Sequence, residues 1–518
     1  MSFSKTKPSH DKYFDTDHLR PNLKQQAVRG SGATVFTRIS VYGSQLIGTM
    51  VLARLLIPAD FGLVAMVTVF ANILIEFGIL RLAEATIQRE QINHQQISTL
   101  FWINVALCTA LAALLVVASS LIAWFYQEPR LAAITMVIAG GFIFTGLSIQ
   151  HMALLQRNME FYKIAAINIT STIFVDITAI VIAWQGCGYW ALVARRIGIP
   201  VATAAGLWIL CKWRPGLPST RAGVWPMLKF GINSLGNYTM DYFSRSLDKV
   251  LLGWQYDAQS LGYYDRAYHL FVLPVNQLSY PLTSVAVATL SRLHNEPEQF
   301  RHYYLSAVTI LAFIGMLLSV NLTLVGKDLI LLLLGSQWDK AGQIFSFFGP
   351  GIGIMIIYGT NGWLHLSLGR ADRWFRWGVI AFVTTAIFFV IGLPFGGLGI
   401  AVAYVASFYV LIVPCLLYAG SPVNLQLSAL VSAIWKYFVS ALATASFCWF
   451  ILYSFELTSN IFISLNTISR IFVSLFFCTF LYLLLVVAFY QSTKPISQFV
   501  TLLRDMTPNI FSKKLSAN

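Results

Sequence analysis

From about residue 31 to residue 490 the chain is a succession of long apolar stretches joined by short polar connections. A helix needs about 20 mostly apolar residues to cross the hydrocarbon core of a bilayer. Inside that core each backbone N–H and C=O must be satisfied within a helix or a closed barrel. Barrel strands read as alternating segments of about ten residues, and the stretches here are longer and continuously apolar. The chain is therefore expected to be all-α and polytopic. Composition agrees: 57% of residues are hydrophobic and only 11% charged, against roughly 25% charged in soluble domains.

Fourteen crossings are expected, at about 31–56, 62–87, 98–125, 131–155, 163–184, 189–211, 231–254, 262–291, 303–325, 329–366, 374–394, 397–418, 429–454 and 466–490. The tenth is too long for one span and is interrupted at Gly335–Gly342, so a broken or interfacial helix is expected within it. With the N-terminus inside, the outer segments hold only Arg54, Arg130, Lys327, Lys340 and Arg470. Most other Lys and Arg fall on inner segments, which the positive-inside rule reads as both termini in the cytoplasm. The net charge of +14 then reports topology, and no nucleic-acid partner is expected. The first thirty residues are polar and mixed in charge, unlike a cleaved signal, so the first span should be retained. Cys108, Cys187, Cys211, Cys415, Cys448 and Cys478 are scattered without C-x-x-C spacing and suggest neither a disulfide framework nor a metal site.

An internal repeat is legible. Segments 51–65 (VLARLLIPADFGLVA) and 251–265 (LLGWQYDAQSLGYYD) align at an offset of 200, with Ala53 on Gly253 and Gly62 on Gly262. A second match, at an offset of 211, sets Gly186-Cys187-Gly188 on Gly397-Leu398-Gly399. The expected organisation is a cytoplasmic tail (1–30), an N-lobe of six helices (31–211) and a basic cytoplasmic linker (212–230). A C-lobe of six helices (231–418), two further helices (429–490) and a cytoplasmic tail (491–518) follow. Parallel repeats of this kind occur in secondary transporters, with the substrate site between the halves.

Ionisable side chains within spans are costly and usually face a cavity or a partner. The seventh stretch holds Asp241, Arg245, Asp248 and Lys249, which fall within an arc of about 100° on a helix. The first carries a polar stripe of Ser31, Thr34, Arg38, Tyr42, Gln45 and Thr49. The second adds Glu76, Arg81 and Glu84, and the eighth adds Asp265, Arg266 and His269. The first two helices of each repeat are thus expected to line one aqueous cavity. The competing reading is that Asp241, Arg245 and Asp248 neutralise one another at i,i+3 and i,i+4 spacing and only fix packing. Arg195 and Arg196 are adjacent, so at most one can face a lumen. Asp176 fits a packing contact as well as a coupling site. Pro274, Pro281 and the Gly349-Pro350-Gly351 run bend spans. No P-loop, H-E-x-x-H or G-x-S-x-G is present, so neither an enzyme nor a cofactor is expected. A drug or cation extruder and a membrane polysaccharide polymerase are the competing functions; the polymerase would need a large outer loop.

Several segments resemble bacterial polysaccharide flippases of the Wzx type, within the multidrug/oligosaccharidyl-lipid/polysaccharide superfamily, and most closely exporters of the colanic-acid type. The carrying residues are RLLIPADFG (54–62), LDKVLLGWQYDAQSLGYYDRAYHL (247–270), LPVNQLSYPL (273–282) and TLSRL (289–293). The loops LQRNMEFYK (155–163) and LGRADRWFR (368–376) add to them. The resemblance implies two pseudo-symmetric six-helix lobes in a V-shaped bundle. It implies alternating-access translocation of undecaprenyl-diphosphate-linked oligosaccharides across the bacterial inner membrane for exopolysaccharide, capsule or O-antigen synthesis. The implied partners are that lipid-linked sugar, membrane lipid and the polymerase or export machinery. A cationic lumen is typical of the family, and Arg38, Arg81, Arg245, Lys249 and Arg266 are the residues here that fit it. The acids Glu76, Asp241 and Asp248, with His269, depart from a purely cationic lining and are the candidates for ion coupling.

Overall fold

The computed structural model describes residues 14, 23–78, 82–89, 91–219, 221–228, 246–455, 458, 460, 462, 464–494 and 497. Among these the secondary structure is helical throughout. Nine helical segments among the described residues are long and apolar enough to cross a membrane, or ten if one bent pair is a single span. One of the nine, Ala371–Val423, is counted once although it is a hairpin of two packed helices. The chain is a multi-pass membrane protein. Its contacts divide it into two compact units, residues 1–265 and 266–518.

In the first unit α1 (Leu23–Leu55), α2 (Pro58–Gly78) and α3 (Leu82–Gln88) precede four long helices. These are α4 (His94–Phe125), α5 (Arg130–Arg157), α6 (Phe161–Trp184) and α7 (Trp190–Leu210). The expected second span is described as α2 and α3, and residues 79–81 between them lie outside the described residues. α4 and α5 form an antiparallel pair, α7 packs on α5 and α6, and α1 lies on α6. α4 starts where it does because Asn93 and Gln96 close a capping box: the Gln96 N–H donates to Asn93 Oδ1 at 2.8 Å and the Asn93 N–H to Gln96 Oε1 at 3.2 Å. This satisfies two donors that a helix start leaves open.

After α7 the chain turns back along the N-terminal end of α4. The Trp213 indole donates to His94 Nδ1 at 3.1 Å, the Gly216 N–H to Ser98 Oγ at 2.9 Å and the Ser219 N–H to Thr99 Oγ1 at 3.0 Å. The first part of the expected linker is therefore a strap fastened to the first unit. Of the expected seventh span, α8 (Leu247–Gln255) is described; it packs on α2. α9 (Ala258–Arg292) follows.

In the second unit α10 (Pro297–Leu334) is the hub. It takes residues 329–334 from the expected tenth span. Gly335 ends it at φ 107° and ψ 170°, a region that only glycine enters without strain. The rest of the expected tenth span is a broken pair, Ser336–Phe348 and Gly351–Ser367, bent by 55°. It comprises α11 (Asp339–Phe348), α12 (Gly351–Gly359) and α13 (Asn361–Ser367). The bend falls at Gly349-Pro350, where Pro350 has no N–H to continue the first helix. α14 (Ala371–Gly392) and α15 (Gly396–Gly420) form the hairpin.

α16 (Leu427–Trp449) and α17 (Thr467–Tyr490) both pack on α10. Tyr482 donates to the Phe313 carbonyl at 2.9 Å, and Arg470 reaches Asp328 at 2.7 Å. The last helix, α17, is thus fastened to α10 through polar contacts. The second repeat match is corrected in detail: Gly186 and Gly188 have left-handed φ of 81° and 55°, whereas Gly397 and Gly399 lie inside α15. These two glycine pairs do not share a backbone role.

Candidate substrate-translocation residues

Within the first unit, α8 and the start of α9 bring Asp248, Lys249 and Asp265 together. Asp248 is completely buried in the first turn of α8. Its Oδ2 accepts from the Tyr264 hydroxyl at 2.7 Å, and its Oδ1 accepts from the Lys249 backbone N–H at 2.8 Å. A buried carboxylate is costly unless hydrogen-bonded and paired, and the helix start adds a favourable field. Lys249 Nζ lies 3.4 Å from Asp265 Oδ1, with side chains 14% and 5% exposed. That distance is long for a charge-assisted bond, which is usually about 2.7–2.9 Å. Arg266 follows, half-buried, and His269 is exposed one turn further along α9.

Asp248, Lys249, Asp265 and Arg266 carry two formal charges of each sign, so this cluster is balanced rather than cationic. Any cationic surplus must come from elsewhere. Arg38 is exposed on α1. Arg81, Asp241 and Arg245 lie outside the described residues. Glu76 falls in the last turn of α2, but its side chain is outside the described set. Of the residues expected from the sequence, Asp248 and Lys249 are adjacent in α8, and Arg266 and His269 lie on α9.

A second buried charge pair received little weight from sequence. Arg195 Nε donates to Asp176 Oδ1 at 2.7 Å, with side chains 15% and 5% exposed. The same guanidinium reaches Thr49 Oγ1 at 3.0 Å and the Gln45 carbonyl at 3.2 Å. Ser44 Oγ donates to the other Asp176 oxygen at 3.0 Å. Gly48 permits this approach, since a Cβ there would lie 2.9 Å from the Asp176 carboxyl carbon. Of the α1 polar stripe, the Thr49 side chain and the Gln45 carbonyl are therefore used on an ion pair between α6 and α7. Arg196, its neighbour, turns to Asn72 of α2. The available signal was the pairing of single opposite charges on consecutive spans, where each would otherwise be stranded. Among the described residues no group of three or more His, Cys, Asp or Glu is placed to hold a metal ion.

A helical, multi-pass membrane protein with charged residues buried between its helices is the architecture of a membrane transporter. Residues 51–343 match the family of polysaccharide biosynthesis proteins, and the chain belongs to that family. It is 25% identical over 414 residues to the lipopolysaccharide biosynthesis protein WzxC of Escherichia coli, covering 76% of this chain and 82% of that protein. To the teichuronic acid biosynthesis protein TuaB of Bacillus subtilis it is 27% identical over 326 residues, covering 62% and 67%. Among solved structures it resembles the lipid II flippase MurJ in an inward closed conformation. The TM-score is 0.70 at 17% identity, covering 90% of this chain and 99% of that one. An inward-facing multidrug resistance transporter of the MATE family, in the MOP superfamily, gives a TM-score of 0.52 at 14% identity, covering 76% and 94%. The fold is that of this superfamily.

Proposed function

We propose that the protein is a flippase for polyprenyl-diphosphate-linked oligosaccharides, carrying repeat units of a surface polysaccharide from the inner to the outer leaflet. The observation that carries this reading is membership of a polysaccharide biosynthesis family on a membrane-transporter fold. Such a cargo has a polar sugar and a diphosphate that cannot enter hydrocarbon, and a lipid tail that need not leave it. Translocation then needs a polar path for the headgroup alone. The protein acts as a transporter rather than an enzyme, resides in the bacterial inner membrane with both termini inside, and crosses it fourteen times. Polymerase and export machinery are its proposed partners.

In this reading Arg38, Arg81, Arg245, Lys249 and Arg266 contact the diphosphate at different stages. In a low-dielectric cavity each cation attracts it more strongly than in water. Lys249 must exchange its bond to Asp265 for one to phosphate, which the long 3.4 Å separation favours. Deleting the gene in its host should cause lipid-linked repeat units to accumulate on the inner leaflet and surface polysaccharide to disappear. Normal surface polysaccharide in the deletion strain, with no accumulated precursor, would contradict the assignment.

A further inference from the structure

The turn between α4 and α5 and the end of α8 enclose a groove of about 790 Å³. Eight residues line it, among them Ser120, Trp124, Phe125, Gln127, Pro129 and Trp254, and none of the eight carries a charge. That volume falls within the range of about 300–1,000 Å³ found for small-molecule sites. The whole groove lies within the first unit.

Its walls are fixed by local chemistry. After α4 the chain is closed by two backbone bonds, from the Gln127 N–H to the Trp124 carbonyl at 3.1 Å and from the Glu128 N–H to the Ala123 carbonyl at 2.9 Å. Gln127 holds a left-handed φ of 54°, where glycine or asparagine would be the easier choice. What the position gains over glycine is a side-chain amide at the groove. Phe125 and Tyr126 pack edge to face at 4.8 Å, and both rings meet Phe70. Gly253 lets α8 come up to this layer, since a Cβ there would lie 2.9 Å from Tyr126 Cε1. Trp254, the next residue, is thereby set on the α8 side of the groove, with Trp124 on the α4 side.

Trp124 is 74% exposed and Trp254 54%, and neither indole N–H has a hydrogen-bond partner among the described residues. A single interfacial Trp anchors a helix at headgroup level. Here indoles from two helices line one groove, together with the Ser120 hydroxyl and the Gln127 amide. Sugar rings carry the matching chemistry. Their apolar C–H faces lie on an aromatic surface, and their hydroxyls exchange hydrogen bonds with an amide, a hydroxyl or an indole N–H. The charges that follow in sequence, Glu128 and Arg130, neutralise each other at 2.8 Å, so the groove offers little to a phosphate.

We propose that this groove is a saccharide-binding site on the outer side of the first unit, taking uncharged sugars of the lipid-linked cargo once they reach that side. The proposal rests on the flippase reading and on the topology that sets the α4–α5 turn outside. Two fixed indole platforms hold the sugar while its lipid stays in the bilayer.

The probe is one to three repeat units cut by partial hydrolysis from the host's own surface polysaccharide, titrated calorimetrically onto the full-length protein in detergent. The parent should bind, and Trp124→Ala and Trp254→Ala should each bind about tenfold more weakly, as expected for loss of an aromatic anchor. Trp124→Phe should keep part of the affinity. Trp184→Ala removes a comparably exposed indole at the end of α6, outside the groove, and should bind as the parent does. A parent that does not bind, or groove variants that elute as folded protein and bind like the parent, would overturn the proposal. An equal loss in Trp184→Ala would do the same, since it marks general adsorption to interfacial aromatics. Phosphatidylglycerol added to the detergent should leave binding unchanged; displacement of the fragments would make the groove a lipid-headgroup site and overturn it too. Groove-dependent binding, in a host whose deletion strain still makes surface polysaccharide and accumulates no precursor, leaves the sugar site standing while the flippase reading fails.

Discussion

Asp176 and Arg195 show how a single residue can be essential to folding in a protein whose charges invite a transport role. Breaking a buried pair by removing one partner leaves an uncompensated charge and costs about 3–5 kcal/mol. Arg195→Met should lower the melting temperature of the detergent-purified protein strongly. The double variant Asp176→Asn/Arg195→Met should recover most of that loss, since no lone charge remains. A single variant that melts like the parent would refute the structural role. Lys249→Gln is expected to behave differently: export should fall while abundance in the membrane is kept, because the Lys249–Asp265 separation of 3.4 Å is long for an ion pair and less is lost when it is broken. Quantitative blotting beside an export assay separates the two. The four side chains were visible in the sequence as charges within spans, which are rare enough to be informative. Which charges pair was not legible. Lys249 finds Asp265 across a turn of chain, and Arg195 finds Asp176 on another helix.

At the scale of elements, most helices lie where hydrophobic length puts them, because a bilayer leaves few alternatives to a helix of that length. The failures occur where local chemistry outweighs length. Segment 329–334 is as apolar as a new span but continues α10, and the true boundary is the backbone geometry of Gly335. Its φ of 107° and ψ of 170° strain any other residue by about 1–3 kcal/mol. Gly335→Ala should therefore destabilise the second unit by about that much, read as a lower melting temperature; an unchanged value would show that the break is set elsewhere. The docking of α17 was not legible because Arg470 and Asp328 are 142 positions apart. Arg470→Leu should cost stability, and Arg470→Lys should restore part of it, if the contact to Asp328 holds the helix in place. The offset-200 repeat was legible from a handful of aligned residues, and Gly62 and Gly262 turn out to touch. The offset-211 match looked comparable and has no shared backbone role, so glycine identity alone is a poor guide to equivalence.

For the whole molecule, the fold and the family agree on a transporter, and the remaining question is what drives it. The sequence carries no nucleotide-binding motif, and an ion gradient, the membrane potential and removal of product outside are the driving forces to test. Glu76, Asp241, Asp248 and His269 are the proposed carriers of a coupling proton. Asp248 accepts two hydrogen bonds while completely buried, which suits a fixed anchor, so Asp248→Asn should reduce abundance rather than gradient dependence. Glu76→Gln and Asp241→Asn should abolish any effect of an imposed pH or sodium gradient without abolishing exchange down a substrate gradient. The most direct measurement is translocation itself. Purified protein in liposomes is given a fluorescent undecaprenyl-diphosphate oligosaccharide, and an impermeant glycosidase reports how much remains accessible with time. The account predicts transfer between leaflets well above that in protein-free liposomes, reduced at least tenfold by Lys249→Gln. Transfer no faster than in protein-free liposomes, from protein shown to be folded, would contradict it.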